Sequence, residues 1–177
     1  MNIEYYQQIA KSSAYRKSRD ENKDFIFEYP HYLKDLVEIA FQTKDKNHHK
    51  ACWILELVCE ERMDLFLPFI DEFCSVLKNF KSDSAIRSIS KIGLFIVKDK
   101  NIQLTETQEE KIIENFLDWL IVSDKAANAA YTMRTLFILG KKHSWVNDEL
   151  NALLSRDCSH QTPGYKFAVK DVLKRLK

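Results

Sequence analysis

Three stretches of eight residues decide the fold: ACWILELV at 51–58, AIRSISKI at 85–92 and AAYTMRTL at 129–136. Each begins with alanine and places apolar residues four and seven positions later. Residues with this spacing share one face of an α-helix. The pattern therefore predicts three helices that bury equivalent faces, and we call each the first helix of a helix pair.

A second pattern follows each of these stretches and predicts a partner helix. It places apolar anchors at positions 0, +4 and +8. The anchors are Phe69, Phe73 and Leu77 in the first pair, Ile112, Phe116 and Leu120 in the second, and Val146, Leu150 and Leu154 in the third. The repeat is about 34 residues long once an insertion in the middle pair is removed, which is near the usual length of a helical-hairpin repeat. The insertion lies at about 98–107.

These spacings predict helix pairs at about 46–80, 83–122 and 124–156, with a last helix at 162–177. The whole chain, 1–177, is expected to form a single domain, because 177 residues suit one core of ordinary size. Only three glycines and three prolines are present, and 45% of the residues are apolar. This composition favours an all-α fold of about nine helices joined by short connections.

Before the repeats, the sequence predicts two less regular helices. The first is expected from Ile3 to Ser18, followed by a charged stretch at 19–24 and an aromatic segment at 25–29. The second is expected to open at Pro30 and to run to Gln42, because proline is favoured in the first turn of a helix. Further helix starts are indicated by Asp124, by Thr105 with Gln108 as a capping box, and by Thr162 before Pro163.

The paired pattern resembles the HEAT and armadillo class of α-solenoids, over about residues 30–177. This resemblance implies a right-handed α-α superhelix in which the second helix of each pair lines the concave surface. The chain also resembles small bacterial helical proteins that are labelled adenylosuccinate lyase, which would imply that lyase activity. Members of the lyase family are much longer and carry a mobile catalytic loop rich in serine and glycine.

The cysteines predict reduced thiols in a cytoplasmic protein. None of the four belongs to a CxxC pair, and Cys158 stands far from Cys52, Cys59 and Cys74. His48, Cys52 and Cys59 follow one another at 0, +4 and +11 on one predicted helix, a spacing that could hold part of a zinc site. A structural zinc site needs four ligands, so we predict no metal, no cofactor and buried core thiols instead.

No membrane partner is expected from the sequence. The first residues show no basic region followed by an apolar stretch, so no signal peptide is predicted. The longest apolar run, Ile92 to Val97, is far shorter than the ~20 residues that span a bilayer. The net charge of +1 gives no general reason to expect a nucleic-acid partner.

Carboxylates recur at equivalent positions of the three second helices. Two and three positions after the first anchor lie Asp71 and Glu72, then Glu114 and Asn115, then Asp148 and Glu149, and Asp118 adds to the middle helix. If the pairs stack, these side chains form an acidic ladder. We predict that Asp71, Glu72, Glu114, Asp118, Asp148 and Glu149 bind a basic segment of a protein partner, although ordinary solvated carboxylates would give the same pattern.

A basic stripe on the last helix has the opposite sign. Lys166, Lys170, Lys174 and Lys177 lie at 0, +4, +8 and +11. Lysines near a helix C-terminus also stabilise the helix dipole, so the alternatives are a terminal cap and a weak phosphate or nucleic-acid contact.

Three tryptophans, Trp53, Trp119 and Trp145, are predicted to lie in the core. Trp119 follows Asp118, and DNA glycosylases built from HEAT-like repeats use Trp and Asp on their concave face. The glycosylase motif cannot be matched here, and the acidic ladder would repel DNA.

Three functions follow from these patterns. We favour a non-enzymatic interaction module, because no Gly-rich phosphate loop, nucleophile elbow or catalytic residue can be identified. The alternatives are a nucleic-acid-binding protein of the HEAT-like glycosylase kind, and a small enzyme of the lyase-labelled group.

Overall fold

The computed structural model describes residues 1–122 and 126–176, together with the backbone but not the side chains of residues 126 and 127. The described residues form ten α-helices and no strand. The helices are Ile3–Lys11 (α1), Arg16–Glu28 (α2), Leu33–Phe41 (α3), His48–Glu61 (α4), Ile70–Val76 (α5), Asp83–Lys98 (α6), Glu106–Val122 (α7), Ala126–Leu139 (α8), Ser144–Leu154 (α9) and Pro163–Leu176 (α10).

The all-α prediction is confirmed, and the residues that predicted it lie in the core. The nine residues that define the first helices are buried, at Ala51, Leu55, Val58, Ala85, Ile89, Ile92, Ala129, Met133 and Leu136. Eight of the nine anchors of the second helices are also buried, and Phe69 is half-buried. The spacing thus identified the inward faces of α4 and α6–α9, and of α5 with its flanking turns.

The N-terminal region differs from the prediction, since one expected helix is two. The chain leaves helical geometry after Lys11, because both the amide and the hydroxyl of Ser12 donate to the Ile9 carbonyl. The stretch expected to be a charged connection is instead the middle of α2. Two ion pairs one turn apart support it there, Arg16–Asp20 and Lys17–Glu21.

The first helix pair begins its second helix irregularly. Residues Met63–Phe69 form a 3₁₀ helix that contains Pro68, and Leu77–Asn79 form another after α5. Proline lacks the N–H that an α-helical hydrogen bond would use, which accounts for a regular α5 of only seven residues. A third 3₁₀ turn, Pro30–Tyr32, leads into α3.

Two compact units divide the chain, Met1–Ile92 and Gly93–Lys177. In the first unit α4 is the central helix, and α1, α2 and α3 pack against it. Nine of its fourteen residues are buried, so it is covered on every side rather than on one face. One of these nine is a glutamate, Glu56.

In the second unit α8 has the corresponding central place, with α7, α9 and α10 packed against it. Its buried side chains include two hydroxyls, on Thr132 and Thr135. Each donates to the carbonyl four residues earlier, on Asn128 and Tyr131 respectively, so neither is left unsatisfied in the core.

Hydrogen bonds confirm two of the predicted helix starts. Thr105 and Gln108 form a reciprocal capping box, in which each backbone amide donates to the other side chain at 2.8 and 3.3 Å. Thr162 Oγ1 accepts from the amide of Tyr165 at the start of α10. The predicted start at Asp124 lies outside the described residues.

No α-helix within residues 1–122 and 126–176 combines the length and the apolar character needed to cross a bilayer.

Candidate functional site

An acidic stripe runs along the outer face of α7. It consists of Glu106, Glu110, Glu114 and Asp118, which follow one another at intervals of four residues and are all exposed. We call these four residues the acidic stripe. Within the described residues none of them forms an ion pair, so their charges are offered to solvent. Sequence reasoning had identified Glu114 and Asp118 but not the two residues before them.

The remaining carboxylates of the predicted ladder are also exposed. Asp148 and Glu149 lie on α9, which packs against α7 in the second unit. Asp71 and Glu72 lie in the first turn of α5, in the first unit. The continuous ladder across all three helix pairs therefore stays a prediction, and the structure groups its residues as two sets, one in each compact unit.

One tryptophan does not lie in the core, and its prediction is wrong. Trp145 is 49% exposed, because it comes one position before the anchor Val146 and so lies about 100° away from the buried face of α9. Trp119 is buried, and its ring stacks on Phe116 with centroids 5.0 Å apart. Trp53 is half-buried and donates from Nε1 to Ser84 Oγ at 2.8 Å.

The basic stripe is exposed where the structure describes it. Lys166, Lys170 and Lys174 all lie on the outside of α10, and Lys177 lies outside the described residues. Lys174 and Arg175 occupy the last turn, where they stabilise the helix dipole. Arg175 also pairs with Asp171 one turn earlier, at 3.0 Å.

His48, Cys52 and Cys59 are core residues of α4. All three are buried, and burial raises the pKa of both thiols and lowers the pKa of the imidazole. Cys52 Sγ lies 3.6 Å from the carbonyl of Ala40, which accepts its weak hydrogen bond. In the part of the chain that the structure describes, no three His, Cys, Asp or Glu side chains are placed to hold a metal ion.

A buried charged cluster links α4 to α6, and sequence reasoning missed it. Glu56 is 1% exposed, and its carboxylate accepts from Arg87 at 2.9 Å, from Ser88 at 2.6 Å and from Lys91 at 3.0 Å. Lys91 also reaches Glu60 at 3.2 Å. Desolvation opposes the charge of Lys91, but its hydrogen bonds and the two carboxylates prevail and raise its pKa. The only signal in the sequence is a glutamate inside an apolar run.

A smaller cluster of the same kind lies in the second unit. The carboxylate of Glu109, in the first turn of α7, lies 2.7 Å from Lys142 Nζ and 2.7 Å from His143 Nε2. Desolvation works against the ionised carboxylate, but these hydrogen bonds and charges outweigh it and lower the pKa of Glu109. In both clusters a carboxylate with little solvent exposure is paired with cationic groups from another part of its own unit.

A cavity of about 210 Å³ lies at the end of α9 and the start of α10. Its apolar side includes Leu120, Leu154 and Val169, and its polar side includes Cys158 and His160. Cys158 is half-buried and its thiol is free. The carboxylate of neighbouring Asp157 accepts hydrogen bonds from the amide and the hydroxyl of Ser159.

Comparison of the chain with protein-family models, with curated proteins and with solved structures finds no match. We therefore infer function from the chain's own residues. Among them, the acidic stripe is a charged surface for which the ion pairs within the described residues give no structural reason.

Proposed function

We propose that this chain is a non-enzymatic protein-interaction module that binds a basic segment of a partner protein. The observation that supports the proposal is the acidic stripe on α7, with four exposed carboxylates one turn apart and no ion pair within the described residues. We place this interaction in the cytoplasm, consistent with four free thiols.

Repulsion between the carboxylates of the acidic stripe destabilises α7 when no partner is bound. Like charges four residues apart destabilise a helix by about 0.2–0.5 kcal/mol per pair, and the stripe contains three such pairs. Glu106 lies in the first turn, where the helix dipole favours a carboxylate, but Glu114 and Asp118 lie beyond it. A basic partner would remove this repulsion and replace it with attraction.

Helix α9 carries an exposed aromatic side chain near carboxylates of its own. Trp145 is half-exposed and lies three residues before Asp148, so the two share one face of the helix. An exposed indole beside a carboxylate suits a guanidinium, which can stack on the ring while it pairs with the acid. The proposed segment therefore contains arginine.

We also infer that the three helix pairs are repeats of the HEAT-like kind. The support is the burial of equivalent anchors in each pair, such as Ala51, Ala85 and Ala129 at the start of the three first helices. Modules of this kind commonly present long surfaces to partner proteins, in keeping with the proposed role.

The test is binding of a fluorescein-labelled peptide of alternating arginine and serine, followed by fluorescence anisotropy at low and at physiological salt. The variant carries Glu110→Gln, Glu114→Gln and Asp118→Asn. Each removed charge contributes about 0.5 kcal/mol at an exposed site, so affinity should fall about tenfold. The single variant Trp145→Ala should also bind the peptide more weakly than the parent protein, although its net charge is unchanged.

The matched control carries Glu4→Gln, Glu21→Gln and Glu28→Gln, which removes three exposed carboxylates from α1 and α2. It should keep the affinity of the parent protein within about twofold. Equal losses in both triple variants would show that only net charge matters, and no loss in the α7 variant would refute the proposal.

A further inference from the structure

A hollow on the first unit is lined by lysines rather than carboxylates. It measures about 720 Å³ and lies between the turn that follows α3 and the turn that precedes α6. Its lining consists of Gln42, Thr43, Lys44, Asp45, Lys78, Asn79 and Lys81. We call it the lysine hollow. Neither the acidic stripe nor the two buried clusters include any of these residues.

Three lysines face one carboxylate in this lining, and that carboxylate is already engaged. Asp45 accepts from the Tyr6 hydroxyl at 2.8 Å and from the amide of Asn47 at 2.7 Å. Lys44, Lys78 and Lys81 are exposed, and within the fully described first unit none of them forms an ion pair. The hollow therefore carries an excess of positive charge that no internal partner neutralises.

Two buried aromatic rings hold in place the turns that carry the lysines. Phe41 ends α3 directly before the first turn, and Phe80 comes directly before Lys81. Both rings are buried, and they meet edge to face with centroids 6.5 Å apart. The hydrogen bonds that Asp45 accepts from Tyr6 and Asn47 also hold the first turn in place. A ligand would thus find the hollow already formed, which lowers the entropic cost of binding.

The chemistry of the lining defines the ligand. Every lining side chain is polar, so the hollow offers no ring on which a nucleobase or an aromatic group could stack. Lysine binds phosphate as a point charge, and Thr43 and Asn79 add neutral donors. The volume exceeds the needs of one phosphate, and three lysines provide more positive charge than one phosphate would require.

We propose that the lysine hollow binds a chain of adjacent phosphate groups, with Lys44, Lys78 and Lys81 as its cationic ligands. Free polyphosphate and the phosphate tail of a nucleotide share this chemistry. The proposal is independent of the acidic stripe on α7, and either one can fail alone.

The test uses inorganic triphosphate as the probe, with isothermal titration calorimetry on the full chain at low salt. The variant carries Lys44→Gln, Lys78→Gln and Lys81→Gln, and exposed positions of this kind leave the fold intact. We expect affinity to fall at least tenfold. The matched control carries Lys34→Gln, Lys100→Gln and Lys111→Gln, three exposed lysines outside the hollow and the basic stripe, and should stay within twofold of the parent protein.

Two further titrations distinguish the sources of the phosphates. Similar affinities for triphosphate and ATP would show that only the phosphate chain is bound, and tighter binding of ATP would show that a nucleotide is the preferred source. No binding of triphosphate by the parent protein at millimolar concentration would overturn the proposal. Equal losses of triphosphate affinity in the two lysine variants would also overturn it. So would single-stranded DNA that binds the parent protein more tightly than triphosphate does and binds the hollow variant equally well.

Discussion

Gly93 of α6 lies directly against the ring of Phe116 on α7, so that a Cβ at position 93 would come within 2.5 Å of Phe116 Cζ. Phe116 is fully buried, and its ring stacks on Trp119. An added methyl group would therefore disturb a ring that is already packed in the core. The glycine is required by this close approach, since its backbone adopts no positive φ.

We predict that Gly93→Ala destabilises the protein by about 1–3 kcal/mol, the usual cost of overpacking a core. In an exposed helix the same change would stabilise by about 1 kcal/mol, so the sign of the effect tests the contact. Urea denaturation followed by circular dichroism measures it. Combining Gly93→Ala with Phe116→Leu should cost less than the sum of the two single changes, and strict additivity would contradict the contact.

The Glu56 cluster gives a second prediction. Glu56→Gln keeps the volume of the side chain but removes the charge that Arg87 and Lys91 share. We expect the free energy of unfolding to fall by about 2–3 kcal/mol, at or below the lower end of the range for a broken buried pair. The reason is that the Arg87 and Lys91 side chains are 36% and 15% exposed and can regain some water.

Glu60→Gln is the matched control for Glu56→Gln. Its carboxylate also pairs with Lys91, but the side chain is 39% exposed. Glu60→Gln should lower the free energy of unfolding by less than about 1 kcal/mol, as for other surface pairs. Equal losses for the two variants would mean that burial at position 56 contributes nothing.

Acid should weaken the contacts of Glu109. Because the folded state lowers the pKa of this carboxyl below its ordinary value of 4.5, its stabilising effect is complete above that value. The effect is lost as the pH falls from the unfolded pKa through the lower folded one. Glu109→Gln should therefore cost about 1 kcal/mol near neutral pH, since Lys142 is largely exposed, and almost nothing below the folded pKa.

Urea denaturation at a series of pH values from neutral to well below 4.5 follows this difference. The neighbouring exposed Glu110 serves as the control, and Glu110→Gln should show no such loss of stability. A Glu109→Gln cost that is the same at every pH would show that packing, and not charge, is responsible.

Helix faces could be predicted from the sequence because burial follows the period of the α-helix. Ala51, Ala85 and Ala129 share a spacing with their apolar partners, and all three are buried. The break after Lys11 could not be predicted in this way. The break occurs where the Ser12 hydroxyl donates to the Ile9 carbonyl, a hydrogen bond that competes with continuation of the helix. The spacing of apolar residues does not reveal which acceptor a serine uses.

The surface was harder to predict than the core. Exposed carboxylates could be found by counting along each helix, as for Glu114 and Asp118. The Glu56 cluster could not, because Arg87 and Lys91 lie 31 and 35 residues away, on another helix whose register is unknown beforehand. Trp145 was misplaced because an aromatic residue in a helix was assumed to face inward.

The three-fold attachment of Glu56 also constrains how this sequence can change over time. A neutral residue at position 56 takes a counter-ion from both Arg87 and Lys91, and an apolar residue at 88 or 91 removes one of the three donors to the acid. Each single step is unfavourable, whereas a joint exchange for apolar residues of similar volume is tolerated. Among descendants of one ancestor, positions 56, 87, 88 and 91 should therefore vary together or not at all.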